Sequence, residues 1–361
     1  MTIDRKEFLN VLKQAMPGVE NGNVLLEGAD TFIFDNGFVH TYNDNISVSI
    51  PFPITNKAGD NISGALKAKE FYDLINRYKG ETIKLIPKEG VWIIKSENAV
   101  AELTLLENNI IDRIKNIKPA KIKWHNIPEK FIEGISICQF SANKSVLSGI
   151  YINEGIITST DEIRINWFVL TDNFTESFWI SDAAASELIK IKNLTKYFIS
   201  ESWVHFTNDD NIIFSCKRLS QEGYPFDKIK ILIESHMKTK EDITNELPKD
   251  LMEAVNRAAA LSQNIESFDT IKLTFTNDFI EVFSQRPSGK YTEQVPWEKA
   301  FKKSINPISI FVDYAMIENG ISYSKSFYLK KTMKKDKEIV RIIFANPNGM
   351  QLITTFDGSD K

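Results

Sequence analysis

Phe32-Ile33-Phe34-Asp35-Asn36-Gly37-Phe38-Val39-His40 is an apolar run, a turn of Asp, Asn and Gly, and a second apolar run. That order reads as a β-hairpin, because Asn and Gly accept the left-handed backbone that a tight turn requires. The same order returns twice. Tyr151-Ile152 passes through Asn153-Glu154-Gly155 into Ile156-Ile157, and Thr274-Phe275 passes through Asn277-Asp278 into Phe279-Ile280. The turns at Asn36, Glu154 and Asn277 lie 118 and 123 positions apart. A repeat of about 120 residues is an ordinary domain size, and it divides the 361 residues into three. The expected boundaries are 1–119, 120–237 and 238–361.

Around each hairpin the pattern is the same. A helix precedes it, at about Asp4 to Ala15, Pro128 to Gln139 and Pro248 to Ser262. In the first of these, Phe8, Val11 and Leu12 share one face at helical spacing. A second helix follows, at about Leu66 to Tyr78, Asp182 to Leu194 and Pro307 to Glu318. Three strands close each repeat: 82–106, 197–217 and 326–356 contain them. Alternation such as Ile271-Lys272-Leu273-Thr274-Phe275 gives a strand one dry and one wetter face. The fold class that follows is α+β, with three repeated units of helices on antiparallel sheet.

Composition narrows the function. Hydrophobic residues make up 42% and charged residues 25%, which excludes a disordered chain or a disulfide scaffold. Two cysteines, Cys138 and Cys216, fit a reducing compartment. No apolar run is long enough to span a bilayer and the charged start, Met1 to Lys6, has no signal core, so the expected location is cytoplasmic. The net charge of −4 argues against a globally basic nucleic-acid coat but allows a local basic surface.

No catalytic constellation is present: no phosphate-binding glycine loop, nucleophile elbow or metal helix. His40, His125, His205 and His236 are scattered singly. Asp161-Glu162 reads as a solvated turn pair rather than a metal site. The expectation is therefore no enzyme activity, no metal and no cofactor.

Four segments, in the right order and close to the right spacing, carry a family resemblance. Leu66-Lys67-Ala68-Lys69-Glu70-Phe71-Tyr72-Asp73 resembles the "V-P-A-R-K-F-F-D" start of a first-domain helix in bacterial sliding clamps, the DNA polymerase III beta subunit family. Ser159-Thr160-Asp161 through Arg164-Ile165 resembles their "A-T-D-G-H-R-L" segment, with Glu162 and Ile163 in place of Gly-His. Gly223-Tyr224-Pro225 resembles "R-F-P-D-Y", and Arg257-Ala258-Ala259-Ala260-Leu261-Ser262 resembles "R-A-A-I-L-S". The divergence, including an acidic and polar tail over Asp357 to Lys361, is what a viral replication system would explain.

The resemblance implies a head-to-tail homodimer closing a ring around double-stranded DNA, with no sequence preference, serving a replicative DNA polymerase and a clamp loader. Basic residues expected to face DNA are Lys13, Lys67, Lys69, Arg77, Lys79, Lys190, Lys192, Lys196 and Arg257, with Lys302 and Lys303 before the last helix. An apolar pocket for partner peptides would include Leu147, Thr160, Arg164, Ile165, Pro225, Thr354 and Phe356. Ala260 and Leu261 of one chain would meet Ala101 and Leu103 of the other. Two other functions remain open: an assembly protein of the same fold that does not encircle DNA, and, more remotely, a metal-dependent nucleic-acid enzyme.

Overall fold

The computed structural model of the protein describes residues 1–20, 22, 26–52, 62–106, 109–117, 122–141, 147–237, 245–265, 268–298, 306–334 and 337–356. Lys302, Lys303 and the tail 357–361 lie outside the described residues. In chain order the helices are α1 (Arg5–Ala15), α2 (Ala68–Arg77), α3 (Asn109–Ile117), α4 (Phe131–Cys138), α5 (Asp182–Leu188), α6 (Phe226–His236), α7 (Leu251–Ala259) and α8 (Tyr314–Tyr323). With antiparallel sheets throughout, the class is α+β. The chain divides into two compact units, Met1–Ile132 with Phe174–Ser220, and Glu133–Asn173 with Gln221–Lys361.

In the first unit one sheet runs Gly64–Lys67, Thr31–Asp35, Phe38–Tyr42, Ile46–Pro51, Ile213–Lys217, Trp203–Asn208, Leu194–Ile199, His125–Asn126. Its centre joins strands far apart in sequence, with Ser49 opposite Ile213 and Ile46 opposite Cys216. A second sheet runs Thr2–Asp4, Thr82–Lys88, Val91–Ser96, Ala99–Thr104. Helix α1 begins where Asp4 accepts the Glu7 amide at 2.8 Å, a cap that contributes about 1 kcal/mol. It buries Phe8, Val11, Leu12 and Ala15. Phe8 meets Phe52 and Phe71 edge to face at 5.2 and 5.8 Å, and Phe34 lies 4.7 Å from Trp92. Each such side chain stabilises the fold by about 1.5–3 kcal/mol through burial.

In the second unit the sheet passes through Ile150–Asn153, Ile156–Thr160, Arg164–Val169, Gly349–Thr354, Lys337–Asn346, Ser326–Lys334 and Asn245–Glu246. Here too a distant pairing holds the centre, with Arg164 opposite Ile353 and Phe168 opposite Gly349. The other sheet contains Gln263–Ile265, Phe268–Phe275, Phe279–Arg286 and Gly289–Pro296, with Ile308–Asp313 paired to Phe268–Phe275. Helices α7 and α8 fill the core between, through Leu251, Val255, Met316 and Ile317.

Several sequence expectations change. The hairpin's second strand, Phe38–Tyr42, is followed at once by another, Ile46–Pro51, because Asn43 Oδ1 accepts the amides of Asn45 and Ile46 at 2.9 and 2.8 Å and turns the chain. The helix expected from Pro307 begins only at Tyr314. Ile308–Asp313 is instead a strand, and Asp313 Oδ1 caps α8 through the amides of Ala315 and Met316. The helix expected to Leu194 stops at Leu188, and Asn193, at φ +55°, redirects the backbone into the strand Leu194–Ile199. Helices α3 and α6 were not expected, although Ile110, Ile111 and Ile114 of α3 pack as one face onto Ile33, Tyr42 and Ala65.

Candidate partner site and DNA-facing residues

The turn Thr160-Asp161-Glu162-Ile163-Arg164 is held from inside. Asp161 Oδ1 accepts the Arg164 amide at 2.6 Å and the Ile163 amide at 3.3 Å, while its Oδ2 accepts Arg164 Nε at 2.8 Å. Thr160 donates its hydroxyl to the Arg164 carbonyl at 2.7 Å and accepts the Glu162 amide at 3.1 Å. Glu162 sits at the bend with φ +72°. Asp161 and Arg164 are only 7% and 3% exposed, so the carboxylate expected to be solvated is a buried ion-pair partner. The local reason is the spacing: three residues back-fold the Asp onto the Arg side chain and both following amides.

Strand pairing decides which residues share a face, since side chains alternate and cross-strand partners match. Thr160, Ile165, Leu352, Ile343 and Tyr328 form one row. Thr354, Arg341 and Lys330 form the next, and Tyr151, Thr158, Trp167, Met350 and Ala345 another. Three expected pocket residues, Thr160, Ile165 and Thr354, therefore lie on one face, and the Thr354 amide bonds the Ile163 carbonyl at 2.9 Å. Arg164 faces the other way by alternation and is taken up by Asp161.

The segment around Pro225 packs on this same face. Tyr224 stacks on Tyr151 at 4.5 Å, and Phe226 stacks on Trp167 at 5.6 Å. The Tyr224 hydroxyl reaches the Thr158 carbonyl at 3.4 Å, and burial pushes its pKa above the ordinary tyrosine value. Pro225 is half-buried at the start of α6. Leu147 is half-buried in a turn. Phe356 has its amide on the Phe311 carbonyl at 2.8 Å and its ring 5.1 Å from Phe268. The aromatic pairs Tyr151–Tyr224 and Trp167–Phe226 were not singled out from the sequence: Tyr151 and Trp167 sit on different strands, Tyr224 in a loop and Phe226 at the first position of α6, so no period within one element marks them.

Among the expected DNA-facing residues Lys13, Lys67, Lys69, Arg77, Lys79, Lys190, Lys192, Lys196 and Arg257 are all exposed. Their placement differs from the helical expectation. Lys67 ends the strand Gly64–Lys67, Lys79 lies beyond α2, Lys190 and Lys192 follow α5, and Lys196 is on a strand. Several charges are already compensated. Lys67 pairs with Asp30 at 2.5 Å and Lys190 with Glu187 at 2.6 Å. Arg257 bonds Glu293 at 2.8 Å and Glu253 at 3.4 Å, and its guanidinium draws the Glu293 carboxyl below the ordinary range.

Of the residues expected at a chain–chain interface, two lie on an edge strand and two just past a helix. Ala101 and Leu103 are half-buried on Ala99–Thr104, which ends the first unit's second sheet. Leu103 lines a groove of about 220 Å³ with Leu66, Phe71 and Leu106. In the second unit Leu261 is half-buried and Ala260 exposed just past α7. The Leu261 side chain lies near Gly289, at the start of the edge strand Gly289–Pro296.

Among the described residues no group of three or more His, Cys, Asp or Glu could hold a metal, and no helix is long and apolar enough to cross a membrane.

No protein-family model matches this chain, and no curated protein matches it in sequence. Solved structures do match in fold. The DNA polymerase III beta chain of Streptococcus pneumoniae TIGR4 superposes with a TM-score of 0.78 at 17% identity, over 99% of both chains. A Helicobacter pylori beta clamp bound to a DNA ligase peptide gives 0.79 at 16%, and a Pseudomonas aeruginosa DNA polymerase sliding clamp 0.78 at 14%, again over 99% of both chains. The chain has the sliding-clamp fold from end to end.

Proposed function

We propose that this chain is a DNA sliding clamp, a processivity factor without catalytic activity that acts in the cytoplasm. Two copies close head to tail around duplex DNA, a clamp loader places them there, and a replicative polymerase is tethered through a short peptide segment. In this reading residues 1–119, 120–237 and 238–361 are three domains of one repeated design. The observation that carries the proposal is the clamp fold over 99% of the chain. The two edge strands support it, because an open edge is an aggregation hazard that reciprocal pairing removes. The face bearing Thr160, Ile165 and Thr354 beside Pro225 supports a partner site of the kind that accepts apolar peptide anchors. One neighbour, the Helicobacter pylori clamp, is bound to a DNA ligase peptide.

The test is retention on circular DNA compared with the same DNA linearised. A topological ring remains on the circle and slides off free ends; equal retention on both would sink the proposal. A second reading is an assembly protein of clamp fold that does not encircle DNA. It is favoured by the ion pairs that already compensate Lys67, Lys190 and Arg257, and it predicts no retention on either DNA.

A further inference from the structure

Arg341 stands on the same sheet face as the partner site, directly across from Thr354 on one side and Lys330 on the other. Its Nη1 is fully used, donating to His236 Nε2 at 3.1 Å and to the Thr332 hydroxyl at 2.8 Å. His236 can accept there because its Nδ1 faces the Leu232 carbonyl at 2.8 Å, which requires the proton on Nδ1. The guanidinium is thus locked in place from one edge. The other edge has no hydrogen-bond partner among the described residues. Nε is buried without an acceptor, and among the described residues no carboxylate lies within ion-pair distance of Arg341. Burial lowers its pKa, with no acidic neighbour among the described residues to offset the effect. A half-buried cation with no counter-charge is costly to keep, and the edge left without a partner, Nε with Nη2, is the fork that takes a carboxylate through two parallel hydrogen bonds.

We propose that Arg341 is a carboxylate-binding residue of the partner site, receiving an Asp or Glu side chain of the docked segment. The inference rests on the partner-peptide reading above. A neighbouring strand lies about 5 Å away, so Arg341 is two strand spacings from the Thr160–Arg164 turn through Thr354. An extended peptide whose apolar anchor sits near Ile165 reaches it within about three residues. A duplex phosphate fits less well, because Nε is buried and the neighbouring cation, Lys330 Nζ, is already held on the Ser235 carbonyl at 3.0 Å.

The experiment uses the full chain and a panel of labelled six-residue peptides with one leucine and one phenylalanine anchor. A single Glu is walked through the remaining positions, and each peptide has a Gln twin. At least one Glu peptide should bind about tenfold more tightly than its twin, the size of one charge-assisted pair. Arg341→Gln should abolish that preference, and Arg341→Lys, which keeps charge but loses the fork, should abolish most of it. Peptides that bind with no Glu preference anywhere would overturn the inference and leave the partner site standing. Should no peptide bind, the partner-site reading fails, and acetate titrated against chloride at constant ionic strength decides the residue's chemistry. A saturable shift of the Arg341 Nε–H resonance supports the carboxylate site, and an unmoved resonance refutes it.

Discussion

Asp161→Ala should loosen the partner-site turn at a cost the structure lets one work out. The side chain accepts two charge-assisted bonds from Arg164, at 2.6 and 2.8 Å, in a site where both residues are nearly dry. Hydrogen bonds to charged groups are worth about 1.5–3 kcal/mol each. Removing one partner of a buried pair costs about 3–5 kcal/mol, because the other charge is stranded. The two routes agree on about 4 kcal/mol. Hydrogen exchange across 156–169 would read it as a local opening free energy, without assuming that the two units unfold together. A double variant, Asp161→Leu with Arg164→Met, removes both charges and should recover the part lost to the stranded guanidinium, while the Arg164 and Ile163 amides stay without their Asp161 acceptor. If Asp161→Ala costs less than about 1 kcal/mol, the guanidinium has found water or another acceptor and the buried-pair reasoning is wrong.

Leu261→Lys should shift sedimentation from dimer to monomer with the fold intact, because it places a charge in an apolar contact; an unchanged dimer removes Leu261 from the interface. Changing Lys190, Lys192 and Lys196 to Glu should weaken DNA loading without altering sequence preference. The salt slope should fall by about two rather than three, since Glu187 already compensates Lys190; no change in slope means these lysines face away from DNA. Ile165→Asp should abolish polymerase stimulation while the dimer persists, and full stimulation by a folded variant relocates the partner site. Cys138 and Cys216 are both buried, and burial holds their thiols far above the ordinary cysteine pKa. They should resist a thiol reagent at neutral pH until denaturant is added, and rapid native labelling would contradict that packing.

Patterns with a short period were legible directly. Phe8, Val11 and Leu12 marked α1 because helical spacing alone puts them on one face, and all three are buried. The hairpin turns were legible because Asn36 and Glu154 adopt positive φ, +48° and +53°, and turn chemistry is local. Ile308–Asp313 was misread as helix because a short apolar run satisfies either period; its pairing with Phe268–Phe275 decides the matter. The site followed the same division. Thr160, Ile165 and Pro225 were nameable only through a resemblance, and Asp161 passed for a solvated turn residue. Arg341 carried no sequence signal, because what distinguishes it is the register of its neighbours and a guanidinium edge with no acceptor. Those properties arise when Arg164–Val169 pairs with Gly349–Thr354, nearly two hundred residues later. A local stretch encodes the period of its own side chains, whereas which dry face they meet, and which charge is left unpaired there, is set only when distant strands close.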